Sequence, residues 1–383
     1  ADADALESGK KLNVDAVLEG TIQQSEGRIR INARLLRVAN GEQIWAENFD
    51  QPTSEIFALQ DALSNKIAKT LAFELDKTKF AQHPTKNSDA YEKYLRGRFY
   101  QSQNTEQGLS KAIELYEQAV ALDPNFAEPY AGIADANVIL FNFGLRPVDQ
   151  TIPKARQNLN RAFQLNSNLP DAYNSLALIQ FLVERDWGAA EKSLQKAIEL
   201  NPNNPDSFVR YGYFLLNVGK ADEALIKLEK ARELNPLSPI IKANIGLAHL
   251  CARRYPQAIE QIEKTAAEYP DFPLVFWFLG SAYEGMGEME KGFAANMRAL
   301  EIEGGAELAN RLRRVKETEG VAAANQLWLD EMLKAQKDGF VPALMIAARY
   351  AALQNREITR VGGVLPTPIN IRLICATNSP LYE

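Results

Sequence analysis

Residues 205–236 read PDSFVRYGYFLLNVGKADEALIKLEKARELNP, and residues 238–270 read SPIIKANIGLAHLCARRYPQAIEQIEKTAAEYP. Placed one above the other, the two stretches align without a gap at a spacing of 34 residues. The coinciding positions carry small, aliphatic or helix-ending residues: Gly212 with Gly246, Ala224 with Ala258, Leu228 with Ile262, and Pro236 with Pro270. Glycine suits a close crossing of two helices, and proline suits the end of a helix. The pattern therefore predicts a repeated pair of helices.

This spacing resembles that of the tetratricopeptide repeat, a two-helix unit that stacks into a solenoid. About six such repeats are predicted between Asp89 and Leu353. The first two repeats carry insertions at residues 101–110 and 141–153, which we expect to project as loops. In the sixth repeat the second helix departs from the pattern at Gly292 and Asn296.

Helical patterns also continue beyond the sixth repeat. Residues 306–334 resemble a degenerate repeat, and residues 341–353 resemble the opening helix of another. The predicted fold is therefore mainly α: a tetratricopeptide solenoid, preceded by a small α+β domain and followed by a short β-prone tail.

The first part of the chain carries a different periodicity. Ile29, Ile31, Ala33 and Leu35 alternate with polar residues, three of them arginines, which is typical of a half-buried strand. Turn signals at residues 25–27 and 40–41 divide the region into three antiparallel strands. A short helix is predicted before the strands, and apolar residues at helical spacing predict a covering helix over residues 54–75, with Ser54 as its N-cap. We interpret the arginine row as the solvated face of the sheet, with a phosphate-binding patch as the alternative.

This segment resembles the small TolB-like, or FlgO-like, domain of bacterial signalling proteins. The matching residues are VLEGTIQQSEGRIRINARLLRVANGEQIWAENFD (17–50) and IFALQDALSNKIAKTL (56–71). In that family the domain stands between an output module and a tetratricopeptide array. The output module is a CadC-type winged helix, an adenylate cyclase or a serine/threonine kinase. The resemblance implies a domain over residues 1–76, a linker over 77–88 and the array over 89–353.

Residues 354–383 lose the helical period and predict a strand, a turn at Pro366-Thr367-Pro368 and a second strand. The blocks LQNREITRVGG (353–363) and INIRLICATN (369–378) resemble part of the AAA+ domain of sigma-54-dependent activators. That resemblance implies a sensor I-like role for Asn378. The phosphate loop and the sigma-contacting loop of that domain are missing from the sequence. We interpret the tail as the product of a junction near Leu353, and an ATPase completed in trans is the alternative.

Composition and motifs argue against catalysis. The chain of 383 residues has 43 basic and 49 acidic side chains, and its net charge of −6 does not favour direct nucleic-acid contact by this segment. Its two cysteines and two histidines stand at no metal-ligand spacing, so we expect no metal, no cofactor and no enzyme activity. No apolar run reaches membrane-spanning length. The first residue is Ala1, so we expect a piece of a longer protein.

Function is therefore expected on the inner surface of the solenoid, formed by the first helix of each repeat. Inner-helix positions four apart share a face, and that face should bind a protein or peptide partner. The candidate residues are aromatic or polar side chains at these positions: Asn174, Arg210, Tyr213, Asn217, Asn244 and Trp277. Arg210 and Asn244 are expected to hold a carboxylate or carbonyl of the bound segment. Packing of Tyr213 between helices is the competing interpretation.

Two functional hypotheses follow. The first is a non-catalytic interaction and sensor segment of a bacterial signal-transduction or transcription regulator. The second is the regulatory part of an enzyme, namely an adenylate cyclase, a Ser/Thr kinase or a sigma-54-type ATPase. The cellular location depends on the output module: a CadC-type protein would place the repeats in the periplasm, and a cyclase or kinase would leave them in the cytoplasm.

Overall fold

The structure is a computed structural model of the 383-residue chain. It describes residues 5–12, 14–25, 28–52, 62–63, 84–338, 346, 349–350, 352–353, 357–359 and 366–368. By their backbone contacts, the residues form two compact units. One contains Ala1–Gln103 and Lys111–Tyr130, and the other contains Asn104–Ser110 and Ala131–Glu383.

The first unit begins with a helix and an antiparallel meander, as predicted. Helix α1 spans Ala5–Leu12, and strands β1 (Ala16–Ser25), β2 (Arg28–Arg37) and β3 (Gln43–Pro52) pair in the order β1-β2-β3. At the second turn Gly41 has a φ of 71°, a left-handed conformation that glycine adopts without a steric penalty. The predicted covering helix, its Ser54 cap and most of the predicted linker lie outside the described residues.

The two faces of the sheet differ as the period-two pattern predicted. Ile29, Ala33 and Leu35 on β2 are buried. On the opposite face Arg28 and Arg30 both donate to the carboxylate of Asp50 on β3, at 2.9 and 2.7 Å. These two bonds hold the pKa of Asp50 below its usual value. The arginine row is thus the exposed, ion-paired face of the sheet, and a phosphate there would have to compete with Asp50.

Helix pairs follow from residue 88. Within the described residues the pairs are α2 (Ser88–Gln101) with α3 (Glu106–Leu122), α4 (Ala127–Asn142) with α5 (Val148–Leu165), α6 (Pro170–Ile179) with α7 (Trp187–Leu200), α8 (Pro205–Asn217) with α9 (Ala221–Leu234), α10 (Pro239–Cys251) with α11 (Tyr255–Glu268), α12 (Pro273–Gly285) with α13 (Met289–Ile302), and α14 (Ala306–Glu319) with α15 (Val321–Asp338). In the second unit the first helices of successive repeats pack on one another, α6 on α8, α8 on α10 and α10 on α12. We call these helices the inner row.

The sequence also explains where these helices begin. Proline occupies the first helical position of α6, α8, α10 and α12, where a missing N–H leaves no hydrogen bond unmade. Asn204 caps α8 by accepting from the backbone N–H of Asp206 at 3.0 Å, and Asp186 caps α7 by accepting from that of Ala189 at 2.9 Å. Such caps satisfy N–H groups that have no partner within the helix.

The aligned glycines lie where the two helices of a repeat cross, as predicted. A Cβ atom on Gly212 would stand 2.8 Å from Cγ of Leu228, and one on Gly246 would stand 2.4 Å from Cγ1 of Ile262. Leu228 and Ile262 therefore pack directly over the glycine of their own repeat. The interval of 16 residues between glycine and aliphatic partner is the same in both repeats.

Replacing Gly212 with leucine should lower the free energy of unfolding by about 1–3 kcal/mol, because the new side chain overlaps Leu228. The matched control is Gly188→Leu in α7, where a Cβ would meet only Asp186 Oδ1 at 3.7 Å. Urea denaturation of the two variants measures the difference. Equal stability of the two variants would contradict the helix crossing described here.

The third repeat contains one residue more than the fourth between the aligned positions of its two helices. Ala190 lies 13 positions after Ala177, whereas Ala224 lies 12 positions after Gly212. A π-helical turn at Gln180–Glu184 accommodates the extra residue, as π-bulges do within α-helices. Arg185 then ends the helix with a φ of 57°, and Ser193 Oγ donates to Gln180 Oε1 at 2.7 Å.

Two predictions about loops and the tail are corrected. The insertion at 141–153 is largely helical, because it extends α4 to Asn142 and begins α5 at Val148. Strand β4 (Glu357–Thr359) pairs antiparallel with β5 (Pro366–Pro368), so the predicted turn at 366–368 is wrong. The fixed φ of proline is compatible with an extended strand at a sheet edge. The predicted second strand and Asn378 lie outside the described residues.

Candidate functional site

The six candidate groove residues all lie on first helices of repeats. Asn174 is on α6, Arg210, Tyr213 and Asn217 are on α8, Asn244 is on α10, and Trp277 is on α12. Their surroundings nevertheless differ, and each of the six makes a hydrogen bond within the chain that the sequence did not predict.

Arg210 is engaged with a carboxylate of its own chain. Its Nη2 lies 2.8 Å from Oδ2 of Asp135 on α4, and Ser175 Oγ on α6 donates to Oδ1 of Asp135 at 2.8 Å. Asp135 is 7% exposed, and burial raises the pKa of its carboxyl group although the Arg210 cation opposes that rise. The expectation that Arg210 is open to a ligand carboxylate is therefore corrected, because Asp135 occupies it.

Tyr213 makes a second link from α8 to α4. Its hydroxyl group donates to Oδ1 of Asn142 at 3.2 Å, and its ring lies edge-on to Phe181 with the centroids 6.4 Å apart. Asn217 donates to the backbone carbonyl of Tyr213 at 2.8 Å. Tyr213 and Asn217 are both half-buried. Part of the Tyr213 ring thus packs against neighbouring helices, and part remains open.

Asn174 and Asn244 lie in the interior, so their expected place on an open groove is corrected. Asn174 is 1% exposed and donates to Ser207 Oγ at 2.9 Å. Asn244 is 6% exposed and donates to the backbone carbonyl of Ile240 at 2.7 Å. The close packing of successive inner-row helices buries both side chains, and sequence periodicity does not report that packing.

Trp277 on α12 remains half-buried. Its indole N–H donates to Oε1 of Glu303 at 2.9 Å, and its ring centroid lies 5.8 Å from that of Trp328. Burial raises the pKa of the Glu303 carboxyl group, and the bond from Trp277 partly offsets that rise. Leu247 on α10 and Phe278 and Ser281 on α12 are half-buried as well. The partly open apolar surface of the inner row therefore includes side chains of α10 and α12.

Asp135 and Ser175 were missed by the sequence reasoning. Asp135 follows the helical pattern of α4 and stands 75 residues before its partner Arg210. The sequence shows a charged residue on a predicted helix, but it does not show that this position is buried where α4 meets α6 and α8. Ser175 could not be identified from the sequence either, because small polar residues are common on both buried and exposed helix faces.

Metal ligation and membrane insertion find no support among the described residues. They contain no group of three or more His, Cys, Asp or Glu side chains placed to hold a metal ion. Across the same part of the chain, every helix is too short or too polar to span a bilayer.

Burial, reinforced by the nearby Arg254 cation, lowers the pKa of the His249 side chain below its usual value.

Comparison with known proteins agrees with this architecture. Sequence models of the tetratricopeptide repeat match residues 193–226 and 243–307. The chain is 27% identical over 134 residues to putative adenylate cyclase 3 of Rhizobium meliloti strain 1021, covering 34% of this chain and 23% of that protein. It is 31% identical over 86 residues to transcriptional regulator HilA of Salmonella typhimurium strain LT2, covering 22% of this chain and 16% of that protein. The chain thus spans less than a quarter of either relative.

Among solved structures, the human IFIT1 dimer with m7Gppp-AAAA is similar at a TM-score of 0.51 and 19% identity, over 76% of this chain and 66% of that one. An identity this low shows a common fold alone. Together with the repeat matches, it establishes that the chain contains tetratricopeptide repeats arranged as a helical solenoid, a scaffold of the kind used for protein–protein interaction.

Proposed function

We propose that this chain is a non-catalytic interaction and sensor segment of a bacterial signal-transduction or transcription regulator. Its inner row binds a protein or peptide partner. The observation that carries the proposal is the half-buried apolar surface of that row, formed in part by Leu247, Trp277 and Phe278. Large apolar and aromatic side chains with open surface are the usual anchors for a bound peptide.

The proposed binding surface is centred on α10 and α12. On α4, α6 and α8 the ion pair of Asp135 with Arg210 and the bond of Tyr213 to Asn142 occupy the polar groups. Tyr213, Asn217 and Trp277 are half-buried, and we propose that Tyr213 and Asn217 form one end of this surface and that Trp277 lies within it. A bound segment would therefore gain most of its affinity from apolar anchors and less from polar contacts.

The neighbouring segments are proposed to keep the roles implied by their resemblance. Residues 1–76 would form a TolB-like module, residues 77–88 a linker and residues 89–353 the array. Residues 354–383, with a sensor I-like Asn378, would be a sigma-54-activator fragment without an ATPase of its own.

The second candidate is a regulatory part of an enzyme, and the similarity to a putative adenylate cyclase favours it. The similarity to HilA favours the transcription regulator. The coding sequence upstream of Ala1 separates the two: a winged-helix pattern supports the regulator, and a cyclase or kinase signature supports the enzyme.

Replacing Trp277 with alanine should weaken peptide binding by about 2 kcal/mol, roughly 30-fold, because an aromatic anchor is lost. Peptides are first selected on the unmodified protein from a displayed random library, and they are then titrated into each variant. We expect a similar loss for Tyr213→Ala. Ile226→Ala is the matched control, because Ile226 is 69% exposed on α9, a second helix.

Melting curves of all three variants show whether a loss of affinity reflects the surface or the fold. The proposal fails if no peptide is selected, or if Ile226→Ala weakens binding as much as Trp277→Ala. It also fails if the selected peptides bind every variant with equal affinity.

A further inference from the structure

A buried arginine docks against the last helix pairs of the second unit. Arg349 is 3% exposed, and residues 346, 349, 350 and 352 are helical. Burying a guanidinium group is costly unless other groups pair with it and accept its hydrogen bonds. The structure supplies such partners from α12 and α15.

The partners of Arg349 form a site with the chemistry of guanidinium recognition. Nη1 and Nη2 lie 3.2 and 3.4 Å from the two carboxylate oxygens of Glu284 on α12. Nη1 also donates to Oδ1 of Asn325 on α15 at 3.0 Å. The guanidinium carbon lies 4.5 Å from the ring centroid of Trp328, within cation–π range. A forked contact with a carboxylate is the arrangement that favours arginine over lysine.

Asn296 orients the carboxylate of Glu284. Asn296 on α13 donates to Oε1 of Glu284 at 2.9 Å and packs over Gly280. In the two preceding repeats the equivalent position carries Leu228 and Ile262. The apparent decay of the sixth repeat at Asn296 is therefore a polar substitution that orients the carboxylate. Burial raises the pKa of Glu284, whereas Arg349 and the bond from Asn296 oppose that rise.

Apolar side chains near Arg349 in sequence pack beside it. Ile346, Tyr350 and Leu353 pack in the same cluster as Trp277, Trp328 and Leu329. Together with Arg349 they have the spacing i, i+3, i+4 and i+7, by which an amphipathic helix docks into a groove. The segment thus occupies a surface next to Trp277 in the way that a helical partner would.

Exchange of this segment for a partner requires the partner to replace the contacts that the segment makes. A buried ion pair contributes little net stability, because desolvation of the two charges offsets their attraction. A partner that presents the same groups would restore every contact that the departing segment loses.

We infer that Glu284, Asn325 and Trp328 form an arginine-binding site, which the chain fills with its own Arg349 and which a protein partner enters by displacing it. This inference rests on the proposed binding function and specifies the partner. The partner is a helical segment with an arginine flanked by apolar residues three positions before it, one position after it and four positions after it. The site selects for a guanidinium group because Glu284 and Asn325 accept its hydrogen bonds while Trp328 covers its face.

The test uses the full chain and a labelled peptide with the sequence of residues 341–353, VPALMIAARYAAL. We expect the Arg349→Met chain to bind this peptide at least about ten-fold more tightly than the unmodified chain, whose own arginine competes. A peptide with methionine in place of its arginine should bind the Arg349→Met chain at least about ten-fold more weakly. In a Glu284→Gln/Arg349→Met chain the preference for the arginine peptide should disappear.

Hydrogen exchange on the unmodified chain provides a second measurement that needs no variant to fold. Saturating arginine peptide should accelerate exchange in residues 346–353, and the methionine peptide should not. Equal binding of both peptides to the Arg349→Met chain, or unchanged exchange with either peptide, would overturn the inference. If library-selected peptides still bind through Trp277 in that event, the proposed function survives and the arginine site alone is wrong.

Discussion

Replacing Arg210 with methionine is expected to lower the free energy of unfolding by about 3–5 kcal/mol at neutral pH. The change leaves the carboxylate of Asp135 buried without its cation, and Asp135 is only 7% exposed. Ser175 still donates one hydrogen bond at 2.8 Å, but it supplies no charge. Urea denaturation followed by circular dichroism measures the loss.

The loss should shrink as the pH falls. Burial holds the pKa of Asp135 above its usual value in the folded protein, so the folded state binds a proton there before the unfolded chain does. Protonation of Asp135 therefore stabilises the folded state. This contribution to the free energy of unfolding is complete below the pKa of Asp135 in the unfolded chain, and it is lost as the pH rises through its pKa in the folded protein. Without Arg210, which lowers the folded pKa, this dependence should extend to higher pH. We therefore expect Arg210→Met to be closer to the unmodified protein at about pH 5 than at about pH 7.

Two controls separate the buried pair from ordinary charge removal. Arg254→Met removes an ion pair of 2.7 Å with Asp222 whose side chains are 41% and 78% exposed, so it should cost less than about 1 kcal/mol. Asp135→Leu/Arg210→Met removes both buried charges and should recover most of the stability. A double variant as unstable as Arg210→Met would show that the uncompensated charge is not the cause.

Replacing Trp328 with alanine is expected to lower the free energy of unfolding by about 3–5 kcal/mol. Trp328 is 1% exposed and lies in a cluster with Phe293, Met297 and Leu312. Its removal leaves a cavity and also takes the ring away from Arg349 and Trp277. In repeat proteins each repeat is stabilised mainly by contacts with its neighbours, so the last helix pairs, which contain the cavity, should open first.

Trp187→Ala is the matched control for this cavity. Trp187 begins α7 and is 53% exposed, so its removal should change stability by less than about 0.5 kcal/mol. Hydrogen exchange locates the opening, and denaturation gives its size. Uniform acceleration of exchange across all repeats in Trp328→Ala would contradict the expectation that the last pairs open first.

Local periodicity was sufficient to predict most elements. The 34-residue interval predicted a close helix crossing at the aligned glycines, and Gly212 lies against Leu228 at such a crossing. Alternation along Arg28–Arg37 predicted the strand and both of its faces. These predictions succeed because each depends on residues close in sequence, whose geometry the helix or strand repeat dictates.

The candidate site was predicted less well. Periodicity assigned Asn174 and Asn244 to the inner row but did not show that neighbouring helices bury them. It also gave no sign that Arg210 meets Asp135, 75 residues earlier. Similarly, the reason for the departure at Asn296 lies in tertiary contacts, because Asn296 donates to Glu284 and Glu284 pairs with Arg349.

By itself, the sequence determined the helix pairs, the strands and the row of helices that we propose to bind a partner. The tertiary structure alone decided which side chains of that row remain open and which form buried ion pairs. The physical reason is that a repeat pattern specifies contacts within a unit and with its neighbour. Contacts between helices two or more repeats apart depend instead on the rotation accumulated from one repeat to the next.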